Sequence, residues 1–228
     1  MLRKWEDLPE FMRCDEVRIY YDILANRKVS LFIKRLFDIV IGVILLIILL
    51  IPMIIITIMI KLDSQGPAFY RQERVTRYGK VFRIHKFRTM VSNADQIGQG
   101  VTVNNDSRIT RVGAKLRDKR LDELPQVIDV ILGNMSFVGT RPESVKYVKQ
   151  YTNEMYATLL LPAGITSQAS IEFKDEARLL DGCQDVDKVY VEQILPRKMV
   201  YNLLSIEKFN LISELKTMLE TVGIVTGS

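Results

Sequence analysis

The hydrophobic pattern of the chain is dominated by one uninterrupted apolar segment. Residues Ile39 to Ile60 include no charged side chain over 22 consecutive positions. At about 1.5 Å per residue, a helix of this length extends for roughly 33 Å, which is enough to cross the hydrocarbon core of a bilayer. The pattern therefore predicts a membrane helix.

The residues around this segment leave its course through the membrane open. Pro52 removes a backbone donor past the middle of the helix, and Asp38 follows Lys34 and Arg35 by one turn, as in a helix that enters and returns on one side. Proline is also tolerated in spanning helices. Basic residues flank both ends about equally and set no orientation. A spanning helix and a re-entrant helix both fit.

Elsewhere the spacing of apolar residues predicts helices with little strand. Leu8–Ala25 is predicted as an amphipathic helix, lying on the membrane surface or against the main body. Val81–Phe87 is predicted as a short strand, and the polar segment 93–106 as a loop.

The C-terminal half shows a similar helical pattern. Helices are predicted over Thr110–Leu121 and Pro125–Leu132, and another is predicted to open at Thr140-Arg141-Pro142. Segment 164–187 has no clear period, and the chain is predicted to be helical from Lys188 onward. An apolar stripe in this last part packs on the body or lies in the membrane interface; it comprises Leu203, Ile206, Phe209, Leu211, Leu215, Met218 and Leu219.

Composition and charge indicate the size of the folded domain and the kinds of ligand that it could bind. The 228 residues are 48% hydrophobic, which is enough for one domain with a modest appendage. The formal net charge is only +5, but residues 71–120 hold 13 basic and 4 acidic side chains, a local balance of +9. Such a patch is typical of a protein that binds nucleic acid, an anionic membrane or a phosphorylated small molecule. One His and two Cys leave little for a zinc site.

Two adjacent carboxylates, Asp122 and Glu123, follow the basic segment directly. Neighbouring helical residues point about 100° apart, so one can attack a substrate while the other holds a cation. The simpler alternative is that one of them caps the helix that starts at Pro125.

Candidate anion contacts lie in two further motifs, Lys86-Phe87-Arg88 and Gly139-Thr140-Arg141-Pro142. Arginine matches the geometry of phosphate oxygens, and a helix starting near Pro142 offers free N–H groups. The alternatives are a solvated strand face for Lys86 and Arg88 and a surface salt bridge for Arg141. The sequence contains no P-loop, dinucleotide-binding, zincin or serine-hydrolase motif.

Seven motifs in order resemble the bacterial sugar transferases, which are monotopic phosphoglycosyl transferases that prime polysaccharide and glycoconjugate assembly on polyprenyl phosphate. The resemblance extends from Lys34 to about Thr166. The motifs are KRLFD (34–38), the apolar segment with Pro52, GPAFYRQERV (66–75), FRIHKFRTM (82–90), RITRVGAKLR (108–117), LDELPQ (121–126) and GNMSFVGTRPE (133–143).

The resemblance implies transfer of a sugar 1-phosphate from a UDP-sugar to undecaprenyl phosphate, with release of UMP. Asp122 is then expected to be the nucleophile and to form a covalent acyl-phosphate. Glu123 is expected to bind Mg²⁺. Arg117 is expected to pair with both carboxylates and to keep Asp122 ionised, because an opposite charge favours the charged form.

Other residues are assigned by the same motifs. Arg141, with Pro142, is expected to contact the nucleotide phosphate, and Lys86 and Arg88 are expected to belong to the same basic pocket. The membrane helix of the family is re-entrant and broken near a Ser-Pro pair, which implies a break at Pro52 here.

The implied architecture is an α+β, mostly helical, monotopic membrane protein with a re-entrant helix, a small β element and surface amphipathic helices. Its predicted parts are an N-terminal extension (1–33), the membrane helix (34–62), a catalytic domain (63–187) and C-terminal helices (188–228). The implied location is the cytoplasmic face of the bacterial inner membrane. Expected partners are a UDP-sugar, undecaprenyl phosphate and membrane lipid, with no nucleic acid, and a homodimer is left open.

Several positions depart from the family pattern. Ile51 replaces the serine before Pro52, Thr140 replaces a proline before Arg141, Asp129 stands where asparagine is usual, and a downstream Asn-Gly-Arg element is missing. The identity of the sugar is therefore not predicted. Two other functions stay open: a membrane-anchored basic adaptor that binds anionic lipid or nucleic acid, and a hydrolase that uses Asp122 with water as acceptor.

Overall fold

The computed structural model describes residues 2–94, 106–174, 176–180, 183 and 185–226. The loop predicted over 93–106 lies almost entirely outside these residues. The described part of the chain is mostly helical, with two small two-stranded sheets and one long apolar helix, which confirms the α+β class.

The apolar segment forms one long helix, α2 (Lys28–Asp63), which follows the shorter helix α1 (Asp15–Ala25). Its 36 residues correspond to roughly 54 Å. The helical conformation of α2 continues through Pro52, and a change in the direction of the helix axis at this proline stays a prediction. A proline inside a helix costs about 3 kcal/mol, and burial of Met53 and Ile56 immediately beyond it offsets this cost.

Helix α2 packs on the rest of the chain near both of its ends. Lys34 Nζ donates to the carbonyl of Val138 at 2.9 Å, and Asp63 Oδ2 accepts from the backbone N–H of Val112 at 2.9 Å. The opposite face is apolar and exposed, and it includes Val29, Phe32, Ile47, Ile48, Ile51 and Leu62. Among the described helices, α2 is the one that is long and apolar enough to cross a membrane.

The first sheet is an antiparallel hairpin of β1 (Phe69–Val75) and β2 (Val81–Phe87). Strand β2 has the predicted bounds, whereas β1 was not predicted. Residues paired across the hairpin share a face, so Arg74 and Lys86 project to the same side together with their partners.

The second sheet pairs β3 (Met135–Val138) in parallel with β4 (Ala163–Thr166). Neither strand was predicted. Gly139 follows β3 and packs against Gly164 so closely that a Cβ on Gly164 would lie 2.2 Å from the Gly139 backbone nitrogen. Only glycine fits at this contact.

Two helices flank the adjacent carboxylates. Helix α3 (Arg111–Asp118) has Thr110 as its N-cap, with the Thr110 side chain accepting from the N–H of Gly113. It ends earlier than predicted, because Arg120 adopts a left-handed conformation, and a single 3₁₀ turn, Leu121–Glu123, follows. Helix α4 (Gln126–Leu132) confirms the prediction within one residue.

The remaining helices are short except for the last two. The helix predicted to open at Thr140 begins only at Val145, so its free N–H groups do not lie beside Pro142. In order the remaining helices are α5 (Val145–Val148), a 3₁₀ segment (Glu154–Leu160), α6 (Gln168–Glu172), α7 (Glu176–Leu179), α8 (Val186–Val189), a π-helical turn (Tyr190–Ile194), α9 (Leu195–Glu207) and α10 (Leu211–Thr226).

The N-terminal segment packs against the main body, which decides between the two alternatives left open by its sequence. Met12, Val17 and Leu24 are fully buried in the largest hydrophobic cluster, together with residues of the 3₁₀ segment and α9. The apolar stripe of the C-terminal part was predicted either to pack on the body or to lie in the membrane interface, and its residues show both arrangements. Ile206 and Phe209 are buried in the same cluster, whereas Leu215 and Leu219 are exposed.

Candidate active site

A cavity of about 830 Å³ lies between the β1–β2 hairpin, the segment after β3 and the helices α7 to α9. Its basic lining residues come from separate parts of the sequence and are brought together only by the fold. They are Arg74, Lys86, Arg141, Lys146 and Lys198. A cavity of this size is in the range that holds a whole small-molecule ligand.

Glu123 joins two of these cations at the edge of the cavity. Its Oε1 atom accepts hydrogen bonds from Lys86 Nζ at 2.8 Å and from an Arg141 guanidinium nitrogen at 2.9 Å. The side chain of Glu123 is only 14% exposed. The alternative of a helix cap is wrong for the described residues, because α4 starts after Pro125 without a side-chain cap.

The two adjacent carboxyl groups differ in their electrostatics. Burial alone would raise the pKa of Glu123, but the charges and hydrogen bonds of Arg141 and Lys86 outweigh burial and hold this pKa well below its usual value. Burial and the charge of Glu123 raise the pKa of Asp122, against the opposing charges of Lys86 and Arg117. The charge of Arg117 lowers the pKa of Asp122, in the expected direction, but burial and Glu123 outweigh it and the pKa is raised overall.

Three further predicted residues have different positions. Pro142 is buried and lines the cavity with Arg141. Arg117 acts on Asp122 through its charge, while its direct pairing with both carboxylates stays a prediction. Arg88 does not share the pocket with Lys86: it is 5% exposed, and its guanidinium donates to the carbonyls of Ser64 and Gln65. Beyond the end of β2 the chain turns Arg88 toward the end of α2.

A polar cluster on the cavity wall was not predicted from the sequence. Tyr190 Oη donates to Glu143 Oε1 at 2.6 Å, and Lys198 Nζ donates to Tyr190 Oη at 3.0 Å and to Glu176 Oε2 at 2.8 Å. Burial and the charge of Glu143 raise the pKa of Tyr190, so the hydroxyl stays protonated. Glu143 is the last residue of the motif GNMSFVGTRPE, which also contains Arg141. This position is the one feature of the local sequence that indicates the cluster.

The oxygen atoms at the site fit the expected Mg²⁺ ion. Both hydrogen bonds to Glu123 end on Oε1, and Asp122 is adjacent in the same turn. The described residues contain no cluster of three or more metal-ligating side chains. Mg²⁺ is usually held by one or two carboxylates together with substrate phosphates, so Glu123 is the candidate ligand.

A cavity lined by five basic side chains, beside a long helix with an exposed apolar face, favours a membrane-associated protein. The family model described as "Bacterial sugar transferase" matches residues 29–228. The chain therefore belongs to the bacterial sugar transferase family.

Similar proteins carry names that describe one kind of reaction. The UDP-N-acetylgalactosamine-undecaprenyl-phosphate N-acetylgalactosaminephosphotransferase of Aeromonas hydrophila is 40% identical over 144 residues, which are 61% of this chain and 34% of that protein. The UDP-glucose:undecaprenyl-phosphate glucose-1-phosphate transferase of Klebsiella pneumoniae is 32% identical over 200 residues, 85% of this chain and 40% of that protein.

A third relative is the undecaprenyl-phosphate galactose phosphotransferase of Salmonella typhimurium. It is 37% identical over 158 residues, which are 63% of this chain and 33% of that protein. The match covers only about a third of the length of this relative and of the Aeromonas protein. The sugar named differs among the three relatives.

Proposed function

We propose that this protein transfers a sugar 1-phosphate from a UDP-sugar to undecaprenyl phosphate and releases UMP. The supporting observation is the Asp122–Glu123 pair at a basic cavity, in a chain of the bacterial sugar transferase family. The names of the three relatives all include undecaprenyl phosphate as a substrate.

The environments of the two carboxylates support different roles. Glu123 is fixed by two hydrogen-bonded cations, whereas Asp122 is half-buried beside the charges of Lys86 and Arg117. In the proposed reaction an Asp122 oxygen forms a bond to the phosphorus that bears the sugar, and the bond from this phosphorus to UMP breaks. An oxygen of undecaprenyl phosphate then displaces Asp122 and regenerates its carboxylate. Two displacements replace one difficult transfer between anions.

Glu123, with Asp122 adjacent, would hold Mg²⁺, which supplies charge neutralisation at the phosphates when bound. Lys86 and Arg141 bind the same phosphates as fixed positive charges. Chelation by EDTA is expected to stop the release of UMP, and added Mg²⁺ is expected to restore it.

The nucleophile is tested by replacing Asp122 with asparagine. We expect Asp122→Asn to lower the rate of UMP release by roughly a thousandfold or more, because a side-chain amide cannot form the acyl-phosphate. Asp118→Asn is the matched control, because Asp118 is exposed at the end of α3. Full activity of Asp122→Asn would exclude the covalent mechanism, and release of free sugar phosphate without a lipid product would indicate a hydrolase.

We also propose that α2 is re-entrant and holds the cavity at the cytoplasmic face of the bacterial inner membrane. The support is that Lys34 and Asp63, near opposite ends of α2, both bond to the same folded body. A helix that spans the bilayer would place these two residues at opposite membrane surfaces. The folded body that bonds to both of them would then have to lie within the hydrocarbon core.

Cysteine labelling tests the re-entrant arrangement. Single cysteines placed before Lys28 and after Asp63, at Arg27 and Gln65, are treated with a membrane-impermeant maleimide in right-side-out and inverted vesicles, after Cys14 and Cys183 are replaced by serine. We expect both positions to react only in inverted vesicles. Reaction of the two positions from opposite sides would establish a spanning helix instead.

A further inference from the structure

Arg74 lines the cavity, although the motif that contains it, GPAFYRQERV, was assigned no role in the site. It lies on β1, where alternation turns Tyr70, Gln72 and Arg74 to the cavity side and Arg71 to the exposed side. One of its guanidinium nitrogens donates to Gln72 Oε1 at 2.6 Å. This bond directs the guanidinium back along the strand, toward the end of the hairpin that carries Lys86.

Among the described residues, Arg74 is the cavity-lining cation that forms no ion pair with a carboxylate. The other four are already paired: Lys86 and Arg141 with Glu123, Lys146 with Asp187, and Lys198 with Glu143 and Glu176. A guanidinium remains charged in proteins at any ordinary pH. Arg74 therefore brings a positive charge into the cavity that a bound anion can neutralise.

The surroundings of Arg74 indicate which part of a donor it reaches. In the β1–β2 hairpin Lys86 is paired with Tyr70, and Lys86 contacts Glu123 at 2.8 Å. Arg74 lies four positions farther along β1, so it is farther from the Asp122–Glu123 turn than Lys86 is.

We propose that Arg74 binds the phosphate of the departing nucleotide. This inference rests on the proposed function, in which Asp122 attacks the sugar-bearing phosphorus, so the phosphate farther from Asp122 is the one that leaves. When the new bond from Asp122 to phosphorus forms, the bond from phosphorus to the bridging oxygen breaks, and its electron pair stays on that oxygen. The phosphate of UMP gains one negative charge, and the guanidinium of Arg74 neutralises it.

The test compares Arg74→Gln with Arg71→Gln, which removes an arginine from the exposed face of the same strand. Binding of UMP to the purified full chain is measured by calorimetry. We expect Arg74→Gln to bind UMP about ten- to a hundredfold more weakly, as for loss of one hydrogen bond to a charged group, and Arg71→Gln to bind like the wild type. Arg74→Lys is expected to recover part of the affinity, since it keeps the charge without the planar fork.

A second measurement separates the two phosphates. Enzyme loaded with sugar phosphate on Asp122 is isolated and mixed with undecaprenyl phosphate, and Arg74→Gln is expected to complete this step at the wild-type rate. Equal UMP affinity in Arg74→Gln and wild type, or no UMP binding by the wild type, would overturn the inference. Slowing of the second step would overturn it too, because Arg74 would then hold the transferred phosphate. Failure of the proposed function differs: the wild type would bind UMP but release none from UDP-sugars.

Discussion

At the scale of single residues, Glu123 connects three elements that are distant in sequence. One oxygen of its carboxylate binds Lys86 on β2 and Arg141 after β3, while its own backbone belongs to the turn between α3 and α4. Removal of one partner from a buried ion pair costs more than the pair contributes, because the remaining charges stay desolvated. Glu123 is therefore a structural residue of the cavity as well as a candidate metal ligand.

We expect Glu123→Gln to lower the free energy of unfolding by about 2–3 kcal/mol, at the low end for a buried ion pair because Arg141 is partly exposed. For a chain of this size that corresponds to a decrease in melting temperature of roughly 4–12 °C, measured in detergent. Glu73→Gln is the control, since it breaks only the exposed pair with Arg83 and is expected to change stability by less than about 1 kcal/mol. Equal melting of both variants would contradict the buried role of Glu123.

A site residue could be predicted from the sequence when the residues next to it in the chain indicated its role. Asp122, Glu123, Lys86 and Arg141 belong to contiguous motifs that the sequence displays. The position of Arg88 was misjudged because it lies beyond the end of β2, where strand alternation no longer determines direction. Arg74 also belongs to a motif, GPAFYRQERV, but its position in the cavity was missed because it follows from the pairing of β1 with β2.

At the scale of elements, the contact between Gly139 and Gly164 sets how β3 and β4 lie beside Arg141. The N–H of Gly164 donates to the carbonyl of Thr140 at 2.8 Å, one residue before Arg141. The strands themselves could not be predicted, because four residues are too few to show an alternation and the pairing joins distant segments. Strand β2 and helix α4 could be predicted, since seven-residue apolar patterns ended at clear turn residues.

We expect Gly164→Ala to displace the segment that carries Arg141. The added methyl carbon would lie 2.2 Å from the backbone of Gly139, so the backbone must move. Overpacking of this kind costs about 1–3 kcal/mol, and a shift of about 1 Å at a substrate-binding group can lower activity about a hundredfold. Gly223→Ala is the control, because a Cβ there meets nothing within 4 Å. Wild-type UMP release by Gly164→Ala would show that the contact does not position Arg141.

Helices α2 and α10 are joined by a buried ion pair, in which Lys34 Nζ lies 2.6 Å from Glu214 Oε2. Burial raises the pKa of Glu214 above its ordinary value of 4.5, although the charge of Lys34 opposes this shift. The folded state therefore binds this proton more tightly than the unfolded state, so the contribution of Glu214 to stability decreases as the pH rises through its raised pKa. The pair thus makes the attachment of α10 sensitive to pH.

We expect the stability of the wild type relative to Glu214→Gln to decrease between pH 4.5 and pH 8, because glutamine does not titrate. Melting temperatures of both proteins across this range, in one detergent at constant salt, measure the difference. Glu207→Gln, at an exposed position at the end of α9, is the control for charge alone. A difference that rises with pH would contradict the raised pKa of Glu214.

At the scale of the whole molecule, two exposed apolar surfaces lie side by side. Helix α10 packs beside the start of α2, where Leu215 and Met218 line a small apolar cavity with Ile33 and Phe37. Farther along α10 the side chains of Ile212, Leu219 and Val222 are exposed. Large apolar surfaces of this kind mark contacts with membranes or partners, and their continuity with the exposed face of α2 favours the membrane.

We expect α10 to lie in the membrane interface beside α2. In a variant whose single tryptophan, Trp5, is replaced by phenylalanine, Leu219→Trp is expected to be quenched by brominated lipids in nanodiscs and to fluoresce at shorter wavelength than in water. Glu192→Trp, at an exposed position of the π-helical turn, is the control and is expected to be quenched weakly. Leu219 is 74% exposed, so most of its apolar surface is free to contact lipid. Equal, weak quenching at both positions would leave α2 as the sole membrane contact of this pair of helices.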